Sequence, residues 1–212
     1  SMTKRASRFA PERREPPQLS RLTDTLLTAQ TFAQQLPQLS RVELLPVARE
    51  LMSVRDLTES AIHSAFVSHT LKIEPSQLNQ VTQTLELAAA LHETFPAMSQ
   101  AQLMPLAGDL NTRQIFDASV LQDVVSQHRL ALAPQELARL NDTLTWTATL
   151  KHMLPEPTSA QLLPLAAQLQ ELPRVSDTAV RELVDRQRLS LAPPEVSRLT
   201  DTLAAAETLT AH

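Results

Sequence analysis

One feature dominates this chain: it repeats itself every 59 residues. The segment Leu19-Ser20-Arg21-Leu22-Thr23-Asp24-Thr25-Leu26 returns as Leu78 to Leu85, as Leu137 to Leu144 and as Val196 to Leu203. The prolines keep the same register. Pro16, Pro75, Pro134 and Pro193 correspond, as do Pro37, Pro96 and Pro155, and Pro46, Pro105 and Pro164. Leu44-Leu45-Pro46-Val47-Ala48 recurs as Leu103-Met104-Pro105-Leu106-Ala107 and Leu162-Leu163-Pro164-Leu165-Ala166. A repeat of fixed period restricts the fold to stacked copies of one supersecondary unit. The division is a basic tail at 1–15, expected to be disordered, then units at 16–74, 75–133 and 134–192. The first part of a fourth unit follows at 193–212.

The unit reads as three helices. The chain has a single glycine, Gly108, and 15 prolines. It therefore has little means of making positive-φ turns, β-hairpins or phosphate-cradling loops. Leu, Ala, Gln and Arg dominate, which favours helix throughout. Helix A is predicted to open at the Pro75-type position, where the missing N–H of proline costs nothing. Ile73 and Leu78 are spaced as a hydrophobic staple across that start, and Leu132/Leu137 and Leu191/Val196 repeat it. Helix A then runs about 18 residues to the Pro96-type proline. Its inward face is Leu78, Val81, Leu85 and Ala88.

Helix B is predicted to open on a capping box: Ser40 with Glu43, Ser99 with Gln102, Thr158 with Gln161. Pro46, Pro105 and Pro164 fall six residues past that cap, where a kink or a restarted helix is expected. Helix C opens at Thr58, Asp117 or Ser176, with staples Leu57/Ile62, Phe116/Leu121 and Val175/Val180. It ends near Thr70, Arg129 and Arg188. The expected fold is an all-α, elongated, right-handed α-solenoid of about ten helices, with neighbouring units sharing one core.

Two helix starts carry a resemblance. Leu132-Ala133-Pro134-Gln135-Glu136-Leu137-Ala138-Arg139-Leu140 and Leu39-Ser40-Arg41-Val42-Glu43-Leu44-Leu45 resemble the helix starts of octotricopeptide and FASTK/RAP-type helical-repeat proteins. Those families are largely organellar RNA-binding proteins, so the resemblance implies a helical repeat and RNA as a partner. The chain departs from them in its longer unit and in having a tryptophan, Trp146, in one copy only.

Few residues suggest chemistry. Cysteine is absent, which removes disulfides and thiolate metal sites and fits a reducing compartment. No apolar run approaches the ~20 residues of a membrane span, and the N-terminal segment lacks a secretory core. An intracellular protein is expected, with mitochondrial and cytoplasmic sites left open. The six histidines form no H-E-x-x-H pattern. His69, His128 and Gln187 share one repeat position, which suggests a hydrogen-bonding residue and not a metal ligand. No Gly-rich phosphate loop or G-x-S-x-G elbow is present. Neither enzyme activity nor a cofactor nor a bound metal is expected.

Two surface patterns remain as candidates. Arg21 and Asp24 recur as Arg139/Asp142 and Arg198/Asp201, with Gln80/Gln83 in the second unit. Loss of both charges together suits a local ion pair three residues apart; the functional alternative is a binding stripe repeated along the array. Thr25, Thr84, Thr143 and Thr202 lie beside it, either as packing residues or as part of that stripe. A basic strip is the second candidate: Arg174, Arg181 and Arg188, with Arg186 nearby, although Glu182 and Asp185 interleave them as on an ordinary solvated face. The tail holds Lys4, Arg5, Arg8, Arg13 and Arg14 against two glutamates, and Lys4-Arg5-Ala6-Ser7 resembles a basophilic kinase site. Each unit after it has a small acidic excess, and aromatics are 3%. RNA binding draws on phosphate neutralisation and stacking, so a protein partner or self-association is the leading expectation and RNA the alternative.

Overall fold

The computed structural model describes residues 17–113 and 118–210. Among them the chain is entirely helical, with ten helices and no strand. These are α1 (Pro17–Gln35), α2 (Arg41–Ser53), α3 (Glu59–Ser68), α4 (Pro75–Thr94), α5 (Gln100–Arg113), α6 (Ala118–Gln127), α7 (Pro134–Met153), α8 (Ser159–Glu171), α9 (Asp177–Arg186) and α10 (Pro193–Thr210). The starts of α4, α7 and α10 are 59 residues apart, as are those of α3, α6 and α9 and those of α2, α5 and α8. The basic tail, Pro16, Phe116, Asp117 and His212 lie outside the described residues.

The boundary chemistry acts as the sequence predicts. The Ser40 N–H donates to Glu43 Oε2 at 2.8 Å while the Glu43 N–H donates to Ser40 Oγ at 3.2 Å. Ser99 with Gln102, and Thr158 with Gln161, form the same reciprocal pair. Thr58 and Ser176 cap α3 and α9 by accepting from Ala61 and Ala179. Each such cap contributes on the order of 1 kcal/mol. Of the two outcomes expected at the in-helix prolines, a restarted helix does not occur. Helices α2, α5 and α8 run unbroken through Pro46, Pro105 and Pro164. A proline one turn inside the helix removes a single backbone bond, and packing of the rest of the helix compensates for it.

Within each unit helices A and B fold back on one another: α1 on α2, α4 on α5, α7 on α8. Helix A also packs on helix B of the next unit, α1 on α5 and α4 on α8. Helix C lies against the helix A that follows it, α3 on α4, α6 on α7 and α9 on α10. The buried residues fall into two clusters. One runs from Ala29 to Leu144 with Leu163; the other joins α7, α8, α9 and α10.

The turn after helix C was not legible. Thr70, Arg129 and Arg188 have φ of 60°, 52° and 55°, the left-handed region usually given to glycine. The Leu71, Leu130 and Leu189 N–H groups then donate back to Phe66, Val125 and Val184 carbonyls at 2.9, 3.1 and 3.1 Å. This is a Schellman closure with leucine as the apolar residue beyond it. A β-branched side chain is the costliest occupant of that region. Thr70→Gly is therefore expected to stabilise the chain by about 1 kcal/mol, the relief of strain exceeding the added unfolded-chain entropy. A urea midpoint that stays put or falls would contradict this.

Candidate interaction surface

Three leucines distinguish the first unit from the others. On α1, Leu19, Leu22 and Leu26 are 48%, 54% and 41% exposed. Their counterparts Leu78, Val81 and Leu85 on α4 are buried, and so are Val196, Leu199 and Leu203 on α10. The three follow an i, i+3, i+7 spacing, so they share one face of α1. In the later units this face receives helix C of the preceding unit. Val42 on α2 is likewise exposed where its counterpart Ala101 on α5 is buried against α1. Met52 and Val54 are also exposed at the end of α2, Met52 beside Thr25, and line a cavity of about 130 Å³ with Asp24, Leu57 and Met104; Val67 on α3 is exposed as well. The inward face expected at Leu78, Val81, Leu85 and Ala88 is buried, and the same face of unit 1 is not, at Leu19, Leu22 and Leu26. Among the described residues no helix C covers the Leu19/Leu22/Leu26 face of α1; α3 meets α1 elsewhere, at Phe32.

The candidate stripe is not brought together as one surface. Arg21 is exposed, while Asp24 is half-buried and accepts from Ser99 Oγ, at the N-cap of α5, at 3.5 Å. Burial raises the Asp24 carboxyl above its ordinary range, and the Ser99 hydrogen bond offsets part of that. Gln80 and Gln83 are half-buried, and the Gln80 carbonyl accepts from Asn111 Nδ2 at 3.5 Å. Asp142, Arg198 and Asp201 are exposed. The predicted local ion pair does not form in any unit among the described residues. Arg139 instead reaches Glu171 at 3.5 Å and sits over the Phe95 ring of the preceding unit, 5.6 Å from its centre. Placing the cation N-terminal to the anion on one helix is the weaker orientation, so contacts outside the pair win.

The threonines have a clear structural use. Thr25, Thr84 and Thr202 donate to the carbonyl one turn back. Thr25, Thr84 and Thr143 meet one recurring helix B position: Met52 Sδ at 3.5 Å from Thr25, Asn111 Nδ2 at 3.5 Å from Thr84, and Gln170 Nε2 donating to Thr143 at 3.2 Å. Thr84 accepts in addition from Gln35 Nε2 of unit 1 at 2.7 Å.

Of the basic strip, Arg181 is engaged by Asp177 Oδ2 at 2.7 Å within α9, Arg174 is exposed before α9, and Arg188 is exposed at its left-handed end. The histidine position pairs with an acid on helix B. His69 Nε2 is 2.8 Å from Glu50, and His128 Nε2 is 2.6 Å from Asp109. In the third unit both members change together, to Gln168 and Gln187, and Gln168 Oε1 has no hydrogen-bond partner among the described residues. The pair ties helix B to the end of helix C, so it is an internal clamp. His128→Ala is expected to cost about 1–2 kcal/mol by leaving Asp109 half-buried without its partner. Asp109→Gln with His128→Gln, copying the third unit, is expected to cost less than the sum of its two singles in a double-mutant cycle. Additive losses would remove the clamp.

A larger cavity, about 360 Å³, lies between units 2 and 3 and is lined by Gln83, Glu86, Asn111 and Lys151. Burial, and then the Glu59 charge, raises the Glu86 carboxyl. Lys151 Nζ is committed to the Pro155 and Pro157 carbonyls at 2.7 and 2.6 Å. Among the described residues no three His, Asp or Glu side chains converge as a metal site, and no helix is long and apolar enough to cross a membrane. Comparison with protein-family models, curated proteins and solved structures finds no match for this chain.

Proposed function

We propose that this chain is a non-catalytic helical-repeat scaffold, an α-solenoid of three-helix units at a 59-residue period, that works through protein–protein interaction or assembly. The observation that carries this reading is the exposed Leu19/Leu22/Leu26 face. A side-by-side apolar row of this kind marks an interaction surface, and its counterparts in the later units are buried, Leu137 only partly, on helices that pack against the preceding helix C. The polar and charged residues that recur are largely occupied in clamps, caps and contacts between helices. RNA binding, implied by the resemblance at the helix starts, finds less support, because Arg181 is paired and each unit is mildly acidic.

The test compares the wild-type chain with Leu22→Glu, a substitution at an exposed site. Proteins retained by the wild type and lost with Leu22→Glu are expected, together with no mobility shift of single-stranded RNA at low salt. A shift that weakens steeply as salt rises would favour the RNA reading. Identical retention by both proteins would remove the apolar face as the working surface.

A further inference from the structure

The last helix duplicates the first. Val196-Ser197-Arg198-Leu199-Thr200-Asp201-Thr202-Leu203 differs from Leu19–Leu26 at its first residue only. On α10 this segment is seated: Val196, Leu199 and Leu203 are 5%, 0% and 8% exposed and join one apolar cluster with Val180, Leu183 and Val184 of α9. On α1 it is open. The polar contacts of α10 with the start of α9 are also reproducible by α1. Thr200 Oγ1 lies 3.4 Å from Asp177 Oδ1, and the Val175 N–H donates to Glu207 Oε2 at 3.4 Å. Three periods earlier α1 carries Thr23 and Gln30 at those positions, each with an acceptor oxygen and Thr23 with a hydroxyl donor. The two helices differ in support. α1 is backed by α2 and α5, whereas the principal packing partner of α10 is α9.

Resting on the scaffold reading, we propose that α10 is a built-in cap: it occupies on α9 the seat that α1 of a second copy of this chain fits. Release of α10 lets copies stack head to tail, unit 3 of one followed by unit 1 of the next, in the register that already joins α3 to α4 and α6 to α7. Such a contact is heterologous, so each added copy presents the same free end to the next. The tethered α10 competes at an effective concentration in the millimolar range, so the wild-type chain stays monomeric at micromolar concentration and assembles only when α10 is displaced.

Sedimentation velocity on four samples tests this. Leu199→Asp places a charge in the α10 seat and opens α9; it is expected to form a concentration-dependent series of multiples of the 23.5 kDa chain. Leu22→Glu with Leu199→Asp has an open α9 but a blocked α1, and is expected to remain monomeric. Wild type alone is expected to remain monomeric. An equimolar mixture of wild type with the double variant is expected to give a species of twice the chain mass and nothing larger. Leu203→Asp, on the same face one turn later, replaces Leu199→Asp if the latter loses helix signal beyond α10. A monomeric Leu199→Asp chain with its helical circular dichroism intact overturns the proposal, as does association of the double variant with itself. If that occurs while Leu22-dependent retention of other proteins persists, self-stacking is removed and the scaffold reading stands. Loss of that retention removes the scaffold reading itself.

Discussion

Phe32→Ala is expected to lose about 4 kcal/mol, the largest effect of any single substitution considered. Phe32 is fully buried on α1 and meets the Phe66 ring of α3 with centroids 6.3 Å apart and planes at 48°. That geometry adds an aromatic pair contribution to the area both rings bury. The counterparts of Phe32 are Leu91 and Leu150, and those of Phe66 are Val125 and Val184. Unit 1 thus joins its first and third helices with two rings where the others use two aliphatic side chains. Phe32→Leu, which installs the residue of the other units, is expected to lose only about 1–2 kcal/mol. Because the buried residues form two clusters, hydrogen exchange should show the Phe32→Ala loss in α1 to α6 while α9 and α10 keep their protection. Uniform loss across all ten helices would mean that the clusters melt as one.

Gly108→Leu is expected to lose about 2–3 kcal/mol by overpacking the contact between units 1 and 2. Gly108 sits inside α5, where a Cβ would lie 3.3 Å from Thr31 Cγ2 and 3.4 Å from Gln35 Nε2 on α1. Two effects oppose each other. Removing a glycine from a helix interior returns about 1 kcal/mol, and forcing a four-carbon side chain between two packed helices costs more. Thr31→Ala in the same chain should recover part of the loss, since Ala167 and Ala90 occupy the corresponding positions one unit later. A urea midpoint above the wild-type value would mean that α5 can move away from α1, and that helix propensity, not the interhelix distance, governs the site.

Much of the local structure was legible because it depends on a few residues in sequence. A proline start, a Ser40/Glu43 box and a Thr58 cap are satisfied by bonds spanning three or four positions, and those bonds form where the spacing predicts them. A restarted helix was expected at the in-helix proline because its local cost was weighed without the packing that offsets it. The end of helix C was placed near the right residues, but its left-handed turn was not foreseen, because the glycine that usually marks such a residue is replaced by Thr70, Arg129 and Arg188. The Arg21/Asp24 pairing was misread for a related reason: a local partner was assumed for Asp24, whose contact is Ser99, 75 residues away.

By itself, then, the sequence determined that the chain is helical, where most helices begin, and that one unit recurs at 59 residues. These follow from capping, proline geometry and apolar periodicity, which act over single turns. Only the tertiary structure decided which copies of an identical motif are buried. Leu22 and Leu199 occupy the same place in the same octapeptide, yet one is 54% exposed and the other fully buried. Burial is a property of what lies opposite a side chain, and α9 lies opposite Leu199. The sequence of the motif carries no record of that neighbour.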